Sequence, residues 1–221
     1  DSGMAPSRLL RGTPEAYADG VSAPAGAGRK SAREISQLVA RQTGLMPDSQ
    51  GRSDFVWSWG QFIDHDISLT TTGLESLPIA VPLGDIFFDP NSTGIQTIPF
   101  SRSKAEDGTG TSTSNPRRQR NEITAFLDGS MVYGSDSVRG SALRTFQGGR
   151  LAMSGGDMPP LNAANLEVDN ALNADPTTLF LCGDQRANEH LALTCLHTVF
   201  VREHNRWANQ FAQENPSWTD E

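Results

Sequence analysis

Gln61, Asp64 and His65 stand at i, i+3 and i+4 within the stretch DFVWSWGQFIDHDISL, Asp54 to Leu69. On a helix this spacing offers an amide, a carboxylate and a base to one cavity. Asp66 points about 100° away around such a helix, at ~3.6 residues per turn, so it serves a different partner. Phe55, Trp59 and Phe62 form an apolar stripe that would pin the helix into a core. With Trp57 these make four aromatic side chains, too many for a surface turn that merely carries acids. Clustered acids and a histidine on an anchored helix mark a functional site.

A second cluster lies in Asn121 to Ser135, NEITAFLDGSMVYGS. Thr124, Phe126, Asp128 and Ser130 alternate, so an extended or looped chain turns all four to one side. Two hydroxyls, a carboxylate and backbone carbonyls suit a hard cation that takes six to eight oxygens. Asp66 would add the second negative charge needed to neutralise a dication. An ordinary strand with small polar residues facing outward has the same spacing, so spacing alone leaves both readings open.

The third cluster is Leu179 to Ala208, LFLCGDQRANEHLALTCLHTVFVREHNRWA. Arg186, Glu189 and His190 fall at i, i+3 and i+4, repeating the geometry of Gln61, Asp64 and His65. Two helices with matched polar faces would enclose a flat ligand between them. Asp184 reads as the N-cap of a helix over 184–213, and Leu191 to Val201 is apolar nearly all round, as in a helix at a domain's centre. His197 and His204 continue the stripe of Arg186 and His190 and read as packed, hydrogen-bonded helix residues. At ~1.5 Å per residue, a helix starting near Asp184 holds Cys182 and Cys195 more than about 15 Å apart. A disulfide needs alpha carbons within about 7 Å, so the two are read as unpaired with each other.

The elements that must position these groups are coarser. Residues 1–30 are rich in Gly, Pro and Ala and read as an extended arm. Ser31 to Gln42 is a short amphipathic helix, capped by Ser31 with Glu34 three residues on. A polar connector over 43–53 leads into the helix over 54–69. Between Thr70 and Pro99 the runs PIAVPL, DIFFD and IQTIPF look like strands punctuated by Pro, Gly and Asn. Asn91-Ser92-Thr93 is a formal glycosylation triplet, a pattern frequent by chance. Residues 101–118 read as a mobile low-complexity surface loop. Residues 136–180 carry Gly- and Asn-rich connections. The fold class expected is mainly α, with long loops and little β-structure.

WGQFIDHD resembles the distal-histidine helix of the animal-type haem peroxidases. The NEITAFLDGSMVYGS block is similar to that family's calcium loop position by position, and GDQRANE and LHTVFVREHN resemble its distal-arginine region. Tyr17 to Ser22 (YADGVS), LRTFQGGRL and PPL add weaker likenesses. The strong blocks stand in the family's order across most of the chain. The resemblance implies that residues 1–221 are the N-terminal part of a single haem peroxidase domain that holds haem b.

In that pattern His65 is the acid–base catalyst, Arg186 the distal arginine, and Gln61 the holder of a pocket water or small anion. Asp64 and Glu189 are the carboxylates that can form ester links to haem. Asp66, Thr124, Phe126 (through its carbonyl), Asp128 and Ser130 are the calcium ligands. The resemblance further implies hydrogen peroxide as oxidant, halide, thiocyanate or phenolic donors, and a secreted or extracytoplasmic location. One position departs: the best-known member has a methionine, sulfonium-linked to haem, where His190 stands. No such link is expected here, and His190 reads as a pocket-edge or structural residue.

The family also needs a proximal histidine as the fifth iron ligand. Four histidines are present; His65 belongs to the distal side, and His190, His197 and His204 follow distal Arg186 on one helix. The ligand is therefore expected from a further, C-terminal chain, joined through a large apolar interface, with the polar NPSWTDE stretch suited to cleavage. Two other classes use the same scaffold: a non-catalytic adhesion or binding module, and a haem fatty-acid dioxygenase. Intact Gln61, His65 and Arg186 weigh against the first, and the second needs a tyrosine outside this stretch.

Composition bounds the remaining classes. The chain has 221 residues with a net charge of −8 and a pI near 5.0, which makes nucleic acid and anionic membrane poor partners. No run approaches the ~18 apolar residues of a membrane span, and the N-terminal residues carry no apolar signal core. H-E-x-x-H, C-x-x-C-H, paired Glu-x-x-His and Gly-rich phosphate loops are all absent, which leaves zinc proteases, c-type haem, di-iron bundles and nucleotide folds unsupported.

Overall fold

The computed structural model describes residues 5–220, so the first four residues of the expected arm, and Glu221, lie outside the described residues. The chain divides into two compact units. One contains Arg52–Leu69 and the residues from Ile123 onward; the other contains Ser7–Gly51 and Thr70–Glu122.

In the first unit, helix α2 (Phe55–Asp64) packs against the long helix α5 (Leu191–Glu214). Phe62 and Leu193 are fully buried between them, with Met131, Val132, Leu143 and Val201 completing the core. Of the expected apolar stripe only Phe62 is buried; Phe55 and Trp59 are about half exposed, at 52% and 47%. α5 likewise has one buried face, made by Leu193, Thr194, His197, Thr198 and Val201. Leu191 and Val199 are exposed, so the helix is amphipathic, not buried all round.

Both site helices are shorter than their sequence patterns predict. α2 stops at Asp64, not Leu69, because Asp66 N–H bonds Ile63 carbonyl and Ile67 N–H bonds Asp64 carbonyl, tightening the chain into i→i+3 turns. The expected helix over 184–213 is two pieces. Asp184 captures the Arg186 amide and caps a 3₁₀ turn, Gln185–Asn188. His190 then adopts an extended backbone and caps α5 by accepting from Leu193 N–H. Between the site helices come α3 (Ser130–Tyr133) and α4 (Ser137–Leu143). α3 begins after Gly129 at φ 78°, a left-handed conformation that favours glycine. α4 begins at Asp136, whose carboxylate accepts from the Val138 and Arg139 amides.

The second unit carries three two-stranded antiparallel ribbons. β1 (Ser7–Arg8) pairs with β6 (Arg120–Asn121), tying down the expected arm, and Tyr17 hydroxyl donates to Arg117 carbonyl at 3.0 Å. β2 (Thr72–Ser76) pairs with β5 (Ser101–Ser103), and β3 (Ile79–Ala80) with β4 (Thr97–Ile98). The last pair realises PIAVPL and IQTIPF. DIFFD is a turn instead, because Asp85 Oδ1 accepts from the Phe87 and Phe88 amides and folds the backbone back. The same carboxylate receives Arg33 from α1 (Ala32–Ala40), whose cap is Ser31 accepting from Glu34 N–H, as expected.

Residues 101–118 are hydrogen-bonded, not loose. Arg117 bridges Glu75 at 2.6 Å and Ser103 carbonyl at 2.7 Å, and Asn115 ties Gly108 to Thr111. The fold is mainly α with short ribbons. Cys182 and Cys195 are both free, the first buried. Among the described residues no helix is long and apolar enough to cross a membrane.

Candidate active site

The turn after α2 and the turn before α5 meet within the first unit. His65 is 3% exposed, and its Nδ1 lies 3.7 Å from Asp184 Oδ1 with no hydrogen-bond partner. Asp184, 4% exposed, accepts Arg186 Nε on Oδ1 at 2.9 Å and Nη2 on Oδ2 at 2.8 Å. Arg186 Nη2 also reaches the His65 carbonyl at 3.5 Å. A buried imidazole, carboxylate and guanidinium thus form one array. Burial holds His65 below the usual histidine range, helped by the Arg186 charge, while Asp184 and Asp64 pull the other way. Burial opposes charge on Asp184, yet hydrogen bonds from Arg186 and its positive charge hold the carboxyl below its ordinary range. Near neutral pH the array is a neutral base beside a fixed ion pair.

Gln61 is held from both ends. Its amide nitrogen donates to Glu189 Oε2, and its Oε1 lies 2.9 Å from His190 Nε2. Because His190 Nδ1 accepts from Leu193 N–H, the ring proton sits on Nε2, and the chain reads Leu193 to His190 to Gln61 to Glu189. Trp57 covers the His190 ring, with centroids 4.5 Å apart. Burial, then Asp169, raises Glu189 above the usual carboxylate range. Asp64 is exposed, its Oδ1 meeting only a long 3.4 Å contact from Ser68 hydroxyl among the bonds seen. Gln61 and Glu189 are therefore joined directly, and Asp64 faces solvent.

The second cluster converges on Ser130. Its hydroxyl donates to Asp66 Oδ1 at 3.1 Å and lies 3.3 Å from Thr124 Oγ1, while its amide donates to Asp128 Oδ1 at 3.0 Å. Asp66, 2% exposed, also accepts the Gly129 and Met131 amides. Thr124 and Ser130 are buried, whereas Phe126 and Asp128 are exposed, so the alternation does not turn four side chains to one side. Among the described residues no group of three or more His, Cys, Asp or Glu is arranged to hold a metal. A cation here would have two carboxylates and neutral oxygens, a donor set that suits calcium and not zinc or iron.

Three positioning features escaped the sequence patterns. Asp184 holds the Arg186 side chain as well as capping the turn. Arg139, buried on α4, donates to Cys182 carbonyl at 2.9 Å and so braces the residues just before Asp184. Gly183 approaches the α3 segment so closely that an added Cβ would lie 2.5 Å from Ser130 carbonyl oxygen. The Asp-x-Arg spacing of Asp184 and Arg186 was the one local signal; the other two are long-range.

The family model for animal haem peroxidase matches residues 1–221. The chain belongs to the animal haem peroxidase family. It is 36% identical to dual oxidase 1 of Caenorhabditis elegans over 99% of its length, and 32% identical to peroxinectin A of Dictyostelium discoideum over 86%. It spans only 15% of that dual oxidase and 38% of that peroxinectin. Among solved structures it matches peroxidase A from Dictyostelium discoideum with a TM-score of 0.86 and 28% identity, covering 99% of this chain and 44% of that one. A fatty acid alpha-dioxygenase of Arabidopsis thaliana shares the fold, with a TM-score of 0.61 at 21% identity. The expected mainly α haem peroxidase fold is therefore the fold found.

The residues present fit the family's prosthetic group. The buried imidazole of His65 stands beside the guanidinium of Arg186, which Asp184 holds in place, and Asp64 and Glu189 carry exposed carboxylates.

Proposed function

We propose that this chain supplies the distal side of a peroxidase domain that reduces hydrogen peroxide and oxidises halide, thiocyanate or phenolic donors. The carrying observation is the buried array of His65, Asp184 and Arg186. Haem, when bound, supplies the redox centre at which peroxide is reduced. Neutral His65 takes the proton from one peroxide oxygen and returns it to the departing oxygen. Arg186, fixed by Asp184, offsets the negative charge that develops as the O–O bond breaks. Gln61, held by Glu189 and His190, orients a water or small anion next to the reacting atoms. Asp64 and Glu189 would hold the haem through ester links.

Calcium belongs to the same reading, with Asp66, Thr124, Phe126 (through its carbonyl), Asp128 and Ser130 as ligands. The convergence on Ser130 supports it. The ion would fix Asp66 and, through the adjoining peptide, His65. Residues 1–221 would be part of one peroxidase domain, completed by polypeptide that brings the proximal histidine, in a secreted or extracytoplasmic protein.

The test is His65→Ala in the full-length protein, followed by stopped-flow absorbance with peroxide. General acid–base help is worth roughly 10²–10⁴-fold. The rate with peroxide is expected to fall at least about 100-fold while haem stays bound. A near-normal rate sinks the assignment.

A further inference from the structure

Asp184 stands where the two reactive side chains meet. Its Oδ1 accepts both the Arg186 amide, at 2.8 Å, and Arg186 Nε, at 2.9 Å, and its Oδ2 accepts Nη2 at 2.8 Å. That arrangement uses the guanidinium fork side-on and leaves the rest of it to face elsewhere. Oδ1 is also 3.7 Å from His65 Nδ1, and that nitrogen is buried with no other partner. A buried ring nitrogen facing a carboxylate is stable as an N–H and unstable as a bare lone pair, because two acceptors would then face each other out of water.

Asp184 is itself held from three sides. Its amide donates to Met131 carbonyl at 2.9 Å, and Arg139 anchors the neighbouring Cys182 carbonyl. Gly183 packs its backbone against residues 130–134, too closely for a side chain. A carboxylate gripped this way keeps its position when its partners move.

We propose that Asp184 is the positioning residue of the site: it fixes His65 in the Nδ1–H tautomer, so that Nε2 is the bare nitrogen available to a peroxide proton, and it sets the orientation of Arg186 at the same time. The inference rests on the peroxidase reading above. The contact needs a closure of less than about 1 Å to become an ordinary N–H···O bond. One carboxylate coupling base and cation keeps both in register, where separate supports would let them drift apart. Proximity effects of this kind are steep: about 1 Å of misplacement costs on the order of 100-fold.

The decisive measurement is ¹⁵N NMR of histidine-labelled full-length protein in the diamagnetic ferrous carbon monoxide form. His65→Gln assigns the signal. Wild type is expected to show a protonated Nδ1 and a bare Nε2 at His65. In Asp184→Asn, which preserves volume and one acceptor oxygen, the tautomer is expected to mix or reverse. The second-order rate with peroxide should fall at least about 100-fold, with the donor's KM little changed. Asp184→Glu, which keeps the charge, should recover part of the rate.

A protonated Nε2 in wild type overturns the inference without any variant being made. An unchanged tautomer and rate in Asp184→Asn overturn it as well. Failure of the peroxidase reading would be seen separately, as a full peroxide rate in His65→Ala.

Discussion

Glu189 and Asp64 have the same chemistry and different surroundings. Glu189 is tied to Gln61 and pushed toward its neutral form by burial and Asp169. Asp64 is exposed, with one long contact from Ser68. If both carry haem esters, acid-acetone should leave haem on the protein after peroxide treatment. Asp64→Asn and Glu189→Gln should each lose one link by mass spectrometry, and the double variant should release all of it. Active wild type that yields only free, unmodified haem would refute the ester assignment. Spacing grouped Gln61, Asp64 and His65 in one segment and Arg186, Glu189 and His190 in another, and of these the structure turns Asp64 to solvent. The sequence did not reveal that Gln61 is gripped by His190, because that bond joins residues far apart in the chain. Nor could spacing show that His190 caps α5, since the cap depends on where the 3₁₀ turn ends.

The Gly183 turn, α3 and Asp66 are stacked, so strain in one reaches the others. In Gly183→Ala the new Cβ would meet Ser130 and Val132 backbone at 2.5 Å. Neither contact is a flexible side-chain end, so the loss should be at least about 2 kcal/mol by denaturant unfolding. The same variant should lose calcium more readily to a strong chelator. Chelation of wild type should shift the haem absorption, because Asp66 adjoins His65, and elemental analysis finding no calcium would remove the site.

α5 adds a pH effect through His197, which is fully buried, edge-on to Phe62, and without a hydrogen-bond partner. Burial pushes its pKa down to about 4, with His65 and Arg186 acting the same way and Asp184 against them. Above about pH 6.5 the ring is neutral folded or unfolded. Between about 6.5 and 4 the unfolded chain binds a proton that the folded chain refuses, so stability falls as pH falls, by at most about 1.4 kcal/mol per pH unit. Urea unfolding across that range should be less pH-dependent in His197→Leu than in wild type. An equal slope in both would mean the ring finds a partner in solution.

α1 and its cap were legible because the signal is local. The ends of α2 and the start of α5 were not, since i→i+3 tightening and Asp184's capture of Arg186 decide them. DIFFD has strand composition, but Asp85 bonding its own neighbours prevails.

At the scale of the whole molecule, a haem bound as proposed needs a fifth iron ligand. Two of the four histidines have both ring nitrogens engaged: His190 with Leu193 and Gln61, and His204 with Tyr133 hydroxyl at 3.2 Å and Gly149 carbonyl at 2.7 Å. His197 is buried in the core beside Phe62, and His65 sits against Asp184 and Arg186. Converting any of these to an iron ligand would break a helix cap, an inter-element bond or the core. The chain also spans 44% of the Dictyostelium peroxidase it matches, so much of that domain has no counterpart in these 221 residues. Phe55, Trp57, Leu191, Val199 and Trp207 present exposed apolar surface, of the kind that marks an interaction site. In the full-length protein, His190→Gln, His197→Gln and His204→Gln should therefore each keep an iron–histidine stretch in the resonance Raman spectrum of the ferrous form. His204→Gln is the sharpest case, because its ring lies on a cleft of about 680 Å³ lined by Trp207, Phe211 and Trp218. Loss of the stretch in one variant with haem still bound would place the ligand on α5 or its cap and remove the need for a ligand from elsewhere. Retention in all three would leave the ligand to polypeptide outside this chain.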